Sequence, residues 1–297
     1  MSRKVRISTI QPKLTVYRDK PAEAGRRENI ERMVALMRQA GERGSDIALL
    51  PETFTHAGIP LDAAKLEQHA ETLDNEMFRE LSGVCAKYNM HAVASVHLKE
   101  HGSVYNSSVF LDRAGDIAGV YHKVHPTIPE MAYGVRAGTE FRVFTLDIGT
   151  VGAIICHDNS FVESARCTAL MGAEIIFWPH FQSGWGEVMW EVQLKSRAID
   201  NGCLFVSSSY SDKSERKHWA PGRFLGRSNI VNDDGIILAD AGREEAIATA
   251  DVDLDDKRRA HSFCYNDIVD YKKAMLDNRK PEAYGMISKR QGEGEGQ

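Results

Sequence analysis

The stretch Gly152-Ala-Ile-Ile-Cys-His-Asp-Asn-Ser-Phe161 puts a cysteine where an apolar run gives way to polar residues. A short apolar run bounded by turn formers reads as a buried strand, so Cys156 stands at its exit. As a structural residue a cysteine is a small hydrophobe that any core position satisfies. A nucleophile needs the strand end, where its side chain emerges and the following turn offers a backbone N–H. Residues Phe161 to Gly172 then carry a helical pattern, and Glu174 to Trp178 read as the next strand.

Working outward, the same alternation of elements recurs. Lys4 to Ile10 is a strand, Ala22 to Gly41 a helix with Ile30, Met33, Val34, Leu36 and Met37 on one face, and Asp46 to Pro51 a short strand ending at Glu52. A second helix over Asn75 to Asn89 leads to a strand from His91 to Leu98. Hairpins are expected at Val104 to Leu111 with Ile117 to Tyr121, at Phe141 to Leu146 with Val151 to Ile155, and around Asp234-Gly235. A helix from Trp185 to Asn201, closed by Gly202, precedes a strand at Cys203 to Ser208, and Ala246 to Val252 adds another. Crossover helices together with hairpins make an α/β domain with mixed sheets. The absence of a Pro/Gly/Ser-rich linker makes residues 1–285 one domain, with 286–297, rich in Gly and Glu, expected to be a disordered tail.

Three ionisable residues share one position in this pattern, directly after an apolar strand: Glu52, Lys123 and Cys156. Strand ends are where α/β sheets bind ligands. Each residue alone has a plain structural reading, as a turn cap, a solvated edge and a core thiol. Together they supply a base, a cation and a nucleophile. A thiolate is stabilised by a nearby ammonium, the charge that develops on attack needs a cation and a backbone N–H such as that of His157, and a carboxylate carries the proton.

The ordered set of motifs resembles the nitrilase superfamily of carbon-nitrogen hydrolases. The matching pieces are Leu49-Leu-Pro-Glu52-Thr-Phe54, Tyr121-His-Lys123-Val-His-Pro126, Gly152-Ala-Ile-Ile-Cys156-His-Asp158, Gly172-Ala-Glu174-Ile-Ile-Phe-Trp-Pro179, Arg197-Ala-Ile-Asp-Asn201-Gly202, Gly226-Arg-Ser228-Asn-Ile230 and Asp234-Gly235, over roughly residues 4 to 255. The resemblance implies a four-layer α-β-β-α sandwich, no metal or organic cofactor, and a homodimer or larger homo-oligomer. By position it makes Glu52 the general base, Lys123 the charge stabiliser, Cys156 the nucleophile and Glu130 a second carboxylate that orients substrate and lysine. Phe181 and Trp185 are candidates for the pocket lining.

The bond cleaved is read from the residues around the cysteine. The run Lys123-Val-His-Pro-Thr-Ile-Pro-Glu130 with Gly134 looks like true nitrilases, whereas His157-Asp158 after the cysteine looks like the amide-hydrolysing branches. The position beside the nucleophile weighs more, so a small-molecule amide is expected ahead of a nitrile. An N-carbamoyl substrate needs a cation for its carboxylate, for which Arg136, Arg166 and Arg223 are the candidates. An acyltransferase or a non-catalytic binding subunit are the readings outside hydrolysis, and all three triad residues are present against the latter.

Composition excludes other classes. A net charge of -5 without a basic, aromatic-laced stretch argues against nucleic acid. Five cysteines (85, 156, 167, 203, 264) with no CxxC pair argue against a disulfide framework or a thiolate zinc site. With no apolar run long enough for a bilayer and no apolar leader at the N-terminus, no membrane partner and a cytoplasmic location are expected.

Overall fold

In the strand Ile175–Pro179, Ile175 and Phe177 enter one buried cluster while Ile176 and Trp178 enter another. Alternate side chains of a strand point to opposite faces, so this strand is covered on both sides and must lie inside a stack of layers. The computed structural model describes residues 2–17, 19–60, 62–181, 187–211, 226–256, 259–260 and 268–289.

The first part of the chain runs β1 (Lys4–Gln11), α1 (Ala22–Glu42), β2 (Ile47–Leu49), α2 (Ala63–His69), α3 (Glu76–Tyr88), β3 (His91–Glu100), β4 (Ser103–Leu111), β5 (Ile117–His122), α4 (Ile128–Ala132) and β6 (Val135–Arg136). It continues through β7 (Val143–Leu146), β8 (Gly149–Ala153), α5 (Val162–Leu170), β9 (Ile175–Pro179), α6 (Glu187–Asn201), β10 (Leu204–Ser208), β11 (Asn229–Val231), β12 (Ile237–Asp240) and β13 (Ala246–Asp253). The strands form a seven-stranded sheet, β13-β1-β2-β3-β4-β5 with β6 beside β4, and a six-stranded sheet, β12-β11-β10-β9-β8-β7. Both are mixed: β1, β2 and β3 are parallel neighbours, as are β8, β9 and β10, and antiparallel strands flank each trio.

Three buried clusters correspond to three layer interfaces. Val5, Ile7, Leu49 and Val93 of the first sheet meet Val151, Phe177 and Val206 of the second. On the outer face of the first sheet, Ile30, Met33 and Met37 of α1 and Phe78 and Leu81 of α3 cover Ala48, Ala92, Ala94 and Val96. Outside the second sheet, Ala165 and Ala169 of α5 and Leu194 and Ala198 of α6 cover Ile176 and Phe205. The result is the four-layer α-β-β-α sandwich. Each fully buried aliphatic or aromatic side chain contributes about 1.5–3 kcal/mol. The alanines let α5 and α6 lie close to their sheet. Gly152 of β8 does the same for α5, since a Cβ there would sit 2.4 Å from Thr168 Cγ2.

The chain divides into two compact units, 1–256 and 257–297. The expected domain boundary at 285 falls inside the second unit. There, β14 (Arg259–Ala260) pairs antiparallel with β15 (Ile268–Val269), followed by α7 (Tyr271–Asp277) and short 3-10 turns at 281–283 and 285–288. The expected tail thus begins within a turn, and residues 290–297 lie outside the described residues. In the first unit the helix expected over Phe161 to Gly172 is α5, Val162–Leu170, and a 3-10 turn at Cys156–Ser160 stands between it and the strand. Helices α2 and α4 and strand β6 were not expected. Among the described residues no helix is long and apolar enough to cross a membrane.

Candidate active site

Neighbouring strands of the first sheet bring their polar ends to one rim. Glu52 follows β2, and His97 of β3 lies directly opposite Asn106 of the antiparallel β4. Lys123 follows β5, and its backbone N–H donates to the carbonyl of Asn106 at 2.8 Å. Because β4 runs against β3 and β5, its beginning shares an edge with their ends.

The side chains at this rim form a closed ring of hydrogen bonds. Lys123 Nζ donates to Glu52 Oε1 at 3.0 Å and to Glu130 Oε1 and Oε2 at 3.0 and 2.8 Å. Asn106 Nδ2 donates to the same two Oε1 atoms, at 2.8 Å to Glu52 and 2.7 Å to Glu130. Glu52, Asn106 and Lys123 are buried, the lysine 1 % exposed. Burial opposes the lysine's charge, but Glu52, Cys156 and Glu130 outweigh it and raise its pKa. Burial also acts against the Glu130 carboxylate, and Lys123, Asn106 and the Thr127 N–H overcome it to bring its pKa down to about 2. Glu130 reaches this position from α4, where its Oε2 accepts the Thr127 N–H at 2.7 Å and its own N–H donates to Thr127 Oγ1 at 3.4 Å, a capping box.

Cys156 comes from the second sheet. Beyond β8 the Ile154 N–H still donates to the Phe177 carbonyl at 3.0 Å, and the chain then turns with Cys156 at φ 44°. A non-glycine residue in that region is strained by about 1–2 kcal/mol, and the surroundings hold it there. The Trp178 indole N–H donates to the Cys156 carbonyl at 3.0 Å. Asp158, with no exposed surface, accepts the Ile155 N–H at 2.9 Å, the Tyr121 O–H at 2.8 Å and the His125 N–H at 2.9 Å, and its Oδ1 lies 2.9 Å from His125 Nδ1. Tyr121 and His125 flank Lys123, so one carboxylate ties the cysteine turn to the lysine segment. Glu52 is held across the layers too: the Tyr210 O–H donates to its carbonyl at 2.6 Å. Burial and the Glu52 charge push the Cys156 thiol well up, and Lys123 offsets this only in part.

These groups line one pocket of about 730 Å³, shared by Glu52, Lys123, Glu130, Cys156 and Phe181 among others. Trp185 and Arg223 lie outside the described residues. His157 is not among the lining residues; its Nδ1 is 3.2 Å from Ser160 Oγ and its ring meets Phe161 edge-on. Arg136 is exposed and Arg166 donates to the Asp200 carbonyl at 2.7 Å, and neither lines the pocket. Trp190 is in the core outside the second sheet. Sequence reasoning missed Asn106, Tyr210 and two lining histidines, His56 and His97. It read Asp158 as a marker of the amide-hydrolysing branches and not as the tie between the cysteine turn and the lysine segment. Among the described residues no group of three or more His, Cys, Asp or Glu side chains is arranged to hold a metal.

Comparison with known proteins agrees with this architecture. The model of the carbon-nitrogen hydrolase family matches residues 7–261. The human omega-amidase NIT2 is 29 % identical over 239 residues, 76 % of this chain and 83 % of that protein. The mouse omega-amidase NIT2 is 27 % identical over 269 residues, 86 % and 94 % of the two chains. Among solved structures, a carbon-nitrogen hydrolase from Helicobacter pylori G27 superposes with a TM-score of 0.77 at 23 % identity, covering 97 % of this chain and 99 % of that one. An amidase from Nesterenkonia sp. gives 0.73 at 19 %, covering 96 % and 97 %. With the family model matching residues 7–261, well over half of its length, this chain belongs to the carbon-nitrogen hydrolase family.

Proposed function

We propose that the protein hydrolyses the amide bond of a small molecule, giving a carboxylic acid and ammonia through a thioester on Cys156. The observation that carries this reading is the meeting of a thiol, an ammonium and two carboxylates in one pocket, with the lysine bonded to both carboxylates. The omega-amidases among the relatives support the choice of an amide.

Burial and the Glu52 charge keep the resting sulfur a neutral thiol, so attack needs a base. Cys156 Sγ bonds to the amide carbon as Glu52 takes the thiol proton. The negative charge that develops on oxygen is held by the Lys123 ammonium and the His157 backbone N–H. Glu52 gives its proton to nitrogen, the C–N bond breaks and ammonia leaves. Water then adds to the thioester carbon with Glu52 as base, and the C–S bond breaks to return the thiol. Glu130 and Asn106 keep Lys123 and Glu52 in place throughout.

A nitrile would draw on the same groups and is the second reading. N-carbamoyl substrates fit less well, because no arginine lines the pocket among the described residues. An acyltransferase would share the first half of the reaction and deliver the acyl group to an amine. We also infer a cytoplasmic homodimer or larger homo-oligomer, supported by exposed Val162 and Leu170 on α5 and Val188, Met189 and Val192 on α6; sedimentation velocity reads the assembly directly.

The test is ammonia release across amides, N-carbamoyl compounds and nitriles, with and without added amine acceptors. Cys156→Ala should lose turnover by orders of magnitude, and Glu52→Gln should lose about 10²–10⁴-fold. A Cys156→Ala protein with near wild-type activity sinks the mechanism.

A further inference from the structure

The proposed chemistry uses Glu52, Lys123, Glu130 and Cys156, yet the same pocket holds two histidines that take no part in it. His56 closes the 3-10 turn Phe54–His56 and His97 lies near the end of β3; both line the cavity, with ring centroids 5.6 Å apart and planes tilted by 44°. Buried polar atoms are almost always paired, and an exception calls for a reason. Here His97 Nδ1, His56 Nε2 and Asn106 Oδ1, all on lining residues, are buried without a hydrogen-bond partner. His97 and Asn106 are direct cross-strand neighbours, which sets their Cβ atoms about 5 Å apart. Those three atoms are themselves closed off from the cavity, so the surface this wall offers beside the reacting groups is the rest of the half-buried His97 ring.

The charge around that wall selects what it takes. Glu52 and Glu130 share one lysine, so the charged side chains among the described lining residues sum to one negative charge. Burial, joined by each histidine's cationic neighbours, lowers the pKa of both rings, that of His97 to about 4, so at neutral pH they add no positive charge. A carboxylate here would face two glutamates. A neutral group with an N–H or O–H would find a neutral imidazole.

We propose that His97, together with His56, forms a specificity subsite for an uncharged hydrogen-bonding group, a carboxamide or hydroxyl, on the acyl portion of the substrate. This rests on the amide reading above and narrows it to neutral polar amides.

The test uses three amides of equal heavy-atom count: succinamide, isocaproamide and succinamate. The wild-type kcat/KM should be highest for succinamide, counted per amide group. His97→Phe should lower the succinamide-to-isocaproamide ratio about tenfold, the worth of one buried hydrogen bond, and His97→Gln, which keeps a neutral donor and acceptor, should restore much of it. A structural role would move all three substrates together, and that result overturns the proposal. So does a wild-type preference for succinamate. Calorimetric binding of succinamide and isocaproamide to Cys156→Ala, with and without His97→Phe, reads the subsite without turnover. Tighter succinamide binding that is lost with His97→Phe supports the subsite even should ammonia release fail, in which case the amide reading falls and the subsite stands.

Discussion

Asn106 directs one amide nitrogen at two carboxylates, and the bonds it makes add to those of Lys123 in holding Glu52 and Glu130 in place. A flipped amide would set its oxygen against both anions, so the orientation is fixed by charge. Asn106→Leu keeps the volume and removes both donors. Hydrogen bonds to charged groups are worth about 1.5–3 kcal/mol, and one pKa unit is about 1.4 kcal/mol. The acid limb of kcat/KM should therefore move to higher pH by about one unit or more, with a lower plateau. An unmoved acid limb in a folded variant would leave Asn106 with packing alone. Glu52, Lys123 and Cys156 were legible because ionisable residues after apolar strands are conspicuous, while Glu130 came from the family resemblance alone. Asn106 was not, because in Val104-Tyr-Asn-Ser-Ser-Val109 it reads as one polar residue in a strand. Its meaning depends on which strand lies beside it, which local pattern does not contain.

Among the elements, α4 shows where pattern reading stops. It has five residues and none is buried, so it offers no apolar stripe to detect and too few turns to be stable alone. Its caps and its ion pair hold it. The capping-box pattern Thr127-x-x-Glu130 was present in the sequence, but reading Glu130 as a substrate-side carboxylate passed over its second use as a helix start. The long elements were legible for the opposite reason: α1 and α3 have apolar stripes, and β9 and β10 are apolar on both faces. Since Glu130 both caps α4 and pairs with Lys123, Glu130→Ala should speed amide hydrogen exchange over residues 128–134 while also reducing activity. Exchange that matches the wild type would show that α4 is held by something else.

At the scale of the molecule, the site belongs to neither sheet. Glu52, Lys123 and Asn106 hang from the first and Cys156 from the second, and the layers are pinned by Tyr121 and His125 on Asp158, by Thr9 Oγ1 on the Ser207 carbonyl at 2.6 Å and by Ser208 Oγ on the Ile10 carbonyl at 2.7 Å. Two buried histidines and the half-buried His97 give this interior a pH dependence. Desolvation holds His97 at about 4 and His180, stacked 4.1 Å from Trp178, at about 3, with His56 also well below its ordinary value. Below about pH 6.5 the unfolded chain binds protons that the fold refuses, so stability falls as pH drops, by up to about 1.4 kcal/mol per pH unit for each histidine. Glu130 adds its own loss further down, as pH falls from the ordinary carboxylate range through about 2. The urea midpoint should be clearly lower at pH 5 than at pH 7, and His180→Phe should flatten the difference; equal midpoints would contradict this account. The division of the site also has a meaning during synthesis. A ribosome that has released residues 1–136 has made Glu52, Asn106, Lys123 and Glu130 but not yet Cys156. Cys156 follows on the next strands and comes beside these side chains only when the second layer docks, so the pocket is complete only once both sheets have folded together.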